Sequence, residues 1–159
     1  MEKYLQQQKT DCIKIVLFGP ESTGKTSLAV ELAKHYKTLF VKEFAREFLQ
    51  KKMDEENKVC EIDDLIPIAI GQMNSENILS KKANRILFCD TDLLTTATYS
   101  RLYFNNFCDP VIDKYSKENK YDLYLLLDID IPWVKDDLRD RPNDLSLIHI
   151  SEPTRRIEI

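Results

Sequence analysis

Gly19-Pro20-Glu21-Ser22-Thr23-Gly24-Lys25-Thr26 reads as G-x-x-x-x-G-K-[ST], the spacing of a loop that cradles nucleotide phosphates. The residues on either side supply the context this spacing needs. Before it, Ile13-Lys14-Ile15-Val16-Leu17-Phe18 is a short apolar, β-branched run of strand length. After it, Leu28, Ala29, Leu32, Ala33 and Tyr36 fall at helical spacing. Strand, glycine loop and helix together predict a nucleoside-triphosphate site. Gly19 and Gly24 let the backbone curl so that N–H groups of the loop, through Glu21, Ser22 and Thr23, point at phosphates beside a helix N-terminus. Lys25 is placed to reach the β- and γ-phosphates of ATP, and the Thr26 hydroxyl to ligate Mg²⁺. The chain has only 3 glycines and two stand where the pattern demands them, so a glycine turn with an incidental lysine is the weaker reading.

Length and composition bound the rest. A chain of 159 residues fits one domain with a sizeable core. Its net charge of −4 argues against a nonspecific nucleic-acid surface, which needs a basic excess. No apolar run approaches the roughly 20 residues of a membrane span, and residues 1–11 form a polar leader without the apolar stretch of a secretory signal. That leader is expected to be frayed or weakly helical. Cys12, Cys60, Cys89 and Cys108 lack C-x-x-C spacing, which favours reduced thiols and a cytosolic location over a disulfide framework or zinc site. His35 and His149 have no recognisable partner pattern.

Along the chain, strands and helices alternate. Thr38-Leu39-Phe40-Val41 predicts a second strand, and Phe44, Ala45, Phe48, Leu49 and Met53 a helix followed by a charged turn over 54–58. Asp63 is the expected N-cap of a long helix reaching about Ala83, with Pro67 tolerated near its start and Gly71 marking close packing or a bend. Ile86-Leu87-Phe88-Cys89 is a continuous apolar run and residues 121–127 are apolar apart from Asp122, the pattern of strands buried on both faces of a parallel sheet. Helices are expected over 93–104 and from Pro110 to about Asn119, and a short helical segment from Pro132 through Trp133. The order predicts an α/β fold, a doubly wound parallel sheet with its ligands beyond the carboxyl ends of the strands, and with the 19–26 loop it is of the P-loop NTPase kind.

The remaining candidates sit at such ends. Asp90 closes an apolar strand, where a P-loop protein places the acid that holds Mg²⁺; a helix cap is the alternative. Asp92 is expected as a cap or substrate contact. Glu43 ends the second strand, where a carboxylate can take the proton of an acceptor hydroxyl while Lys25 stabilises the transferring phosphoryl group. A glutamate favoured by the helix dipole is an equally good reading. Arg46, one turn on, is expected to touch phosphate or pair with an acid. Arg139 and Arg141 follow the last strand, where kinases of this architecture carry mobile arginines that close over phosphates; an exposed Arg–Asp turn explains them as well.

With these segments in place, the chain resembles the NadR-type ribosylnicotinamide kinase domain, a P-loop small-molecule kinase. The resemblance rests on the 19–26 loop, Glu43-Phe44-Ala45-Arg46-Glu47-Phe48, Phe88-Cys89-Asp90-Thr91-Asp92-Leu93-Leu94-Thr95-Thr96, the stretch from Tyr121 to Trp133, and Leu138-Arg139-Asp140. It implies ATP-dependent phosphorylation of the 5′-hydroxyl of nicotinamide riboside to nicotinamide mononucleotide, in NAD salvage. On that reading Glu43, Phe44, Arg46, Asp92 and Trp133 bind substrate, Lys25, Glu43, Asp90 and Arg139 are catalytic, and Arg141 joins the loop in binding ATP. The acids make the pocket suitable for a cationic pyridinium ring, and Phe40, Phe44 and Trp133 are candidates to offer it an aromatic face. Another P-loop kinase acting on a different nucleoside or small alcohol, and an ATP-binding regulatory module, are the rival functions.

The chain departs from the family at three positions, with Lys42 for a common proline, Phe44 for tyrosine and Phe40 for tryptophan, which bears on substrate contacts and not on ATP binding. Nothing resembles the adenylyltransferase or DNA-binding segments of the family's larger members. The domain is expected over 12–143. After that the resemblance stops, and 144–159 reads as a divergent or artefactual tail, translated adaptor read-through that would leave the sheet truncated and turnover impaired. The alternative is a native edge strand over 145–150.

Overall fold

A computed structural model describes residues 2–20 and 23–127 and the backbone of residues 157–158. Glu21, Ser22, Trp133, Arg139, Arg141, His149 and the segments expected over 128–156 lie outside the described residues.

The chain runs α1 (Glu2–Leu5), β1 (Ile13–Phe18), α2 (Lys25–His35), β2 (Leu39–Val41), α3 (Phe44–Glu56), a 3₁₀ turn (Ile62–Asp64), α4 (Leu65–Ser80), β3 (Ile86–Asp90), α5 (Leu93–Tyr103), α6 (Pro110–Glu118), β4 (Leu123–Leu126) and β5 (Ile157–Glu158). The strands make one parallel sheet in the order β2-β3-β1-β4-β5. The first strand is therefore central, and the predicted α/β doubly wound architecture is the one observed. Strand order reverses beside β1, and ligands of such sheets bind at that crevice, beyond the carboxyl ends. The expected edge strand over 145–150 lies outside the described residues; the described edge pairing is β4 with β5.

Burial explains why β1 and β3 lack alternation. Val16, Phe18, Leu87 and Cys89 share one buried cluster with Val41 and Leu126, while Leu17 and Phe88 point the other way, onto Ala29 and Ala33 of α2. Both faces of the sheet are covered, so these strands are apolar on both sides except at Lys14 and the terminal Asp90. A third cluster joins Leu65, Ala69, Met73, Leu93, Ala97, Ile112 and Tyr115 beneath α4, α5 and α6.

Three local expectations need adjustment. The leader does form one helical turn, but it is docked: Leu5 is fully buried in the third cluster, and the Gln8 N–H donates to Asn77 Oδ1 at 2.9 Å. A single apolar anchor leaves no periodicity to read. Asp63 is not the N-cap of α4. It lies inside the 3₁₀ turn, where Glu61 and Asp64 cap each other reciprocally and both accept from Lys52 Nζ, at 2.9 and 2.5 Å. The turn expected over 54–58 starts later, because α3 continues to Glu56 and ends on Asn57 in the left-handed conformation. Gly71 is explained by close packing: a Cβ there would lie 2.3 Å from the Phe44 ring.

Candidate functional site

The phosphate loop turns where sterics demand glycine. A Cβ on Gly19 would stand 2.6 Å from the backbone oxygen of Leu127, so only glycine lets β1 pass β4 at this point. Gly24 is left-handed (φ 83°) and serves as the N-cap of α2, with its carbonyl accepting from the Leu28 N–H at 2.9 Å. The Thr23 hydroxyl, buried, donates to the Pro20 carbonyl at 2.8 Å and ties the loop to itself. Lys25 begins α2, and its ammonium donates back to the carbonyls of Gly19 (3.0 Å) and Pro20 (3.3 Å).

β3 lies beside β1 in register, Leu17 opposite Asp90, so the acid closing β3 meets the start of α2. The Thr26 hydroxyl donates to Asp90 Oδ2 at 2.5 Å. Asp90 is fully buried, and burial pushes its carboxyl up from the ordinary value against the opposing pull of the Thr26 hydrogen bond and the Lys25 charge. Its other oxygen, Oδ1, is buried without a hydrogen-bond partner among the described residues. A lone carboxylate oxygen beside a threonine hydroxyl suits magnesium, which keeps several waters and takes few protein ligands. Among the described residues there is no cluster of three or more His, Cys, Asp or Glu side chains that would make a closed metal cage.

Asp92 is turned to a different task. Thr91, between the two acids, has φ 75°, a left-handed conformation that a β-branched residue adopts only under constraint. Beyond that kink Asp92 becomes the N-cap of α5. Its Oδ1 accepts from the Thr95 N–H at 3.4 Å and its Oδ2 from the Tyr124 hydroxyl at 2.8 Å. Complete burial raises its carboxyl to about 7, with the two hydrogen bonds pulling the other way.

The acceptor-side candidates follow β2, which pairs with β3 so that Val41 lies opposite Cys89. Glu43 and Asp90 therefore leave neighbouring strands at the same edge. Glu43 occupies the N-cap position of α3 without making a side-chain cap bond. Phe44 brings its ring against Gly71 and within 6.1 Å of the Phe48 centroid. Arg46 lines an open groove of about 460 Å³ along α3, with Glu47, Gln50, Lys51, Asp54 and Glu55. Phe40 is partly buried and packs against the cluster of Leu17, Ala29 and Phe88, on the α2 side of the sheet.

The structure thus brings Lys25, Thr26 and Asp90 into one cluster and sets Asp92 and Glu43 at the same sheet edge. It also shows side chains that the motifs did not single out. Tyr124 holds Asp92. Glu76, fully buried on α4, is met by Lys14 Nζ (3.3 Å), the Gln7 amide (3.0 Å) and the Tyr121 hydroxyl (2.6 Å). A charged Lys14 within an apolar strand was the one available hint that a buried partner exists.

Comparison with known proteins finds relatives by sequence and by fold. Over 128 residues the chain is 30% identical to the trifunctional NAD biosynthesis/regulator protein NadR of Salmonella typhimurium and, equally, to that of Escherichia coli. Each alignment covers 79% of this chain, which spans only 30% of the length of these curated relatives. A crystal structure of NadR protein in complex with NR is similar over 87% of this chain and 40% of its own, with a TM-score of 0.73 and 26% identity. A second, of NadR protein with NAD and AMP-PNP, shares the fold at a TM-score of 0.71 and 24% identity, over 92% of this chain and 44% of its own. Residues 14–148 match the AAA domain family, a span that takes in the phosphate loop, β3 and β4, and the chain belongs to that family.

Proposed function

We propose that this chain is an ATP-dependent kinase that phosphorylates the 5′-hydroxyl of nicotinamide riboside, yielding nicotinamide mononucleotide for NAD salvage. The observation that carries the reading is the convergence of Lys25, Thr26 and Asp90, with Asp90 Oδ1 unpartnered among the described residues, at the switch point of the sheet. The likeness to a NadR structure holding NR supports the choice of acceptor.

In this mechanism the loop from Gly19 to Thr26, with Glu21, Ser22 and Thr23, receives the triphosphate on its N–H groups. Lys25 exchanges its contacts with the Gly19 and Pro20 carbonyls for phosphate oxygens. Thr26 and Asp90 would hold Mg²⁺, which would supply charge neutralisation for the transferring phosphoryl group. Glu43 accepts the proton of the acceptor hydroxyl as its oxygen bonds to the γ-phosphorus and the bond to the β,γ-bridging oxygen breaks, releasing ADP. Asp92 and Glu43 give the pocket negative charge that suits a cationic pyridinium, with Phe44, Arg46 and Trp133 completing the substrate contacts. Arg139 and Arg141 close on the phosphates. The kinase domain occupies 12–143, and the reaction is placed in the cytosol, consistent with Cys12, Cys60, Cys89 and Cys108 being free thiols.

The test is ADP release from Mg-ATP with nicotinamide riboside, other nucleosides and small alcohols supplied one at a time. Release that depends on the riboside supports the assignment. Release dependent on another acceptor moves the assignment there, and ATP binding without any acceptor-dependent release favours a regulatory module.

A further inference from the structure

Gln72 sits on α4, 3% exposed. Its Oε1 accepts from the Phe44 N–H at 2.9 Å, while its Nε2 is buried with no hydrogen-bond partner among the described residues. The first fact concerns α3. Phe44 is that helix's first residue, and its N–H is one of the donors a helix start leaves orphaned. The N-cap residue Glu43 makes no side-chain cap bond, so α4 supplies a cap that Glu43 does not. The second fact concerns depth. One turn further along α4, the Glu76 carboxylate meets Cys89 Sγ at 3.9 Å, one residue before Asp90. Gln72 contacts the residue that follows Glu43, so it stands at the level of the carboxyl edge. Both polar atoms belong to one amide, and the unpaired Nε2 lies beside the same helix start.

A buried amide donor without a partner is costly and uncommon in a folded protein, and where it borders a ligand site the ligand is the natural partner. A site that offers such a donor also rejects molecules lacking the matching oxygen. We infer that Gln72 is a specificity-determining residue of the acceptor pocket: its carbonyl anchors the start of α3 behind Glu43, and its Nε2 donates to a hydroxyl or carbonyl oxygen of the bound acceptor. The inference rests on the kinase reading above.

Two substitutions separate the two ends of the amide. Gln72→Glu keeps an oxygen for the Phe44 N–H and removes the donor. Gln72→Met keeps the volume and removes both. KM for the acceptor, KM for ATP and kcat would be measured for the full chain with nicotinamide riboside and with other nucleosides, alongside the thermal midpoint. Both variants are expected to raise the acceptor KM by at least ~10-fold, with ATP KM within about twofold of the parent. Gln72→Met should in addition lower kcat, which Gln72→Glu preserves better, because Glu43 loses its anchor only in the former. An unchanged acceptor KM in Gln72→Glu, while the parent turns over the riboside, overturns the inference and leaves the kinase reading intact. Parallel rises in both KM values with a falling thermal midpoint would also overturn it, marking Gln72 as structural only. A parent chain that transfers to none of the acceptors overturns both readings.

Discussion

The Thr26 hydroxyl donates to Asp90 Oδ2 at 2.5 Å across 64 residues of sequence, joining the first turn of α2 to the end of β3. Asp90 is held there by burial at the expense of its ionised form. Asp90→Asn is therefore expected to cut phosphoryl transfer by at least ~100-fold while the thermal midpoint at pH 7 stays level or rises. Activity and differential scanning calorimetry on one preparation check this. Lost activity with a collapsed midpoint would mean that Asp90 serves the fold instead.

Asp92 carries a pH dependence whose sign is defined. Its carboxyl is raised in the folded chain from 3.8 to about 7. The stability this group contributes is complete below about pH 4 and is lost as pH rises through about 7, because the folded state retains the proton longer than the unfolded state. Asp90, shifted the same way, adds to the slope. Denaturant unfolding of the parent should show stability declining across this window, and Asp92→Asn should flatten the decline. An unaltered slope in the variant contradicts the assignment.

Thr91 inverts a usual rule. At φ 75° alanine is strained and glycine is not, so Thr91→Gly should be more stable than Thr91→Ala by about 1 kcal/mol. Comparing the two variants with each other cancels the loss of the threonine side chain. Midpoints of urea unfolding settle the order.

How much of this was legible in the sequence depended on whether the signal was local. Gly19 and Gly24 announced a loop, and the apolar runs around Val16 and Phe88 announced strands covered on both faces. Asp90 was readable because it closes such a run. Gln72, Tyr124 and Glu76 were not, since each acts on a residue at least 13 positions away, the nearest being Cys89 for Glu76, and a lone polar residue in a helix or strand has no spacing to betray its partner. Phe40 shows the same limit: an aromatic side chain near a strand end suits a core and a ligand pocket equally, and only the fold shows it partly buried against the cluster of Leu17 and Phe88.

The leader gives a further test of a contact that composition hid. Leu5 is fully buried against Met73 and Ile112, whereas its neighbour Tyr4 is 52% exposed. Leu5→Ala should cost about 2–4 kcal/mol and Tyr4→Ala under about 0.5 kcal/mol. Equal, small effects would show that α1 is not docked in solution.

The most direct measurement is the mass of the product formed from Mg-ATP and nicotinamide riboside, by the parent chain and by Glu43→Gln and Asp90→Asn. Nicotinamide mononucleotide from the parent, and a loss of at least ~100-fold in both variants, is the predicted result. ATP bound by the parent with no phosphorylated riboside formed would contradict the assignment of the acceptor.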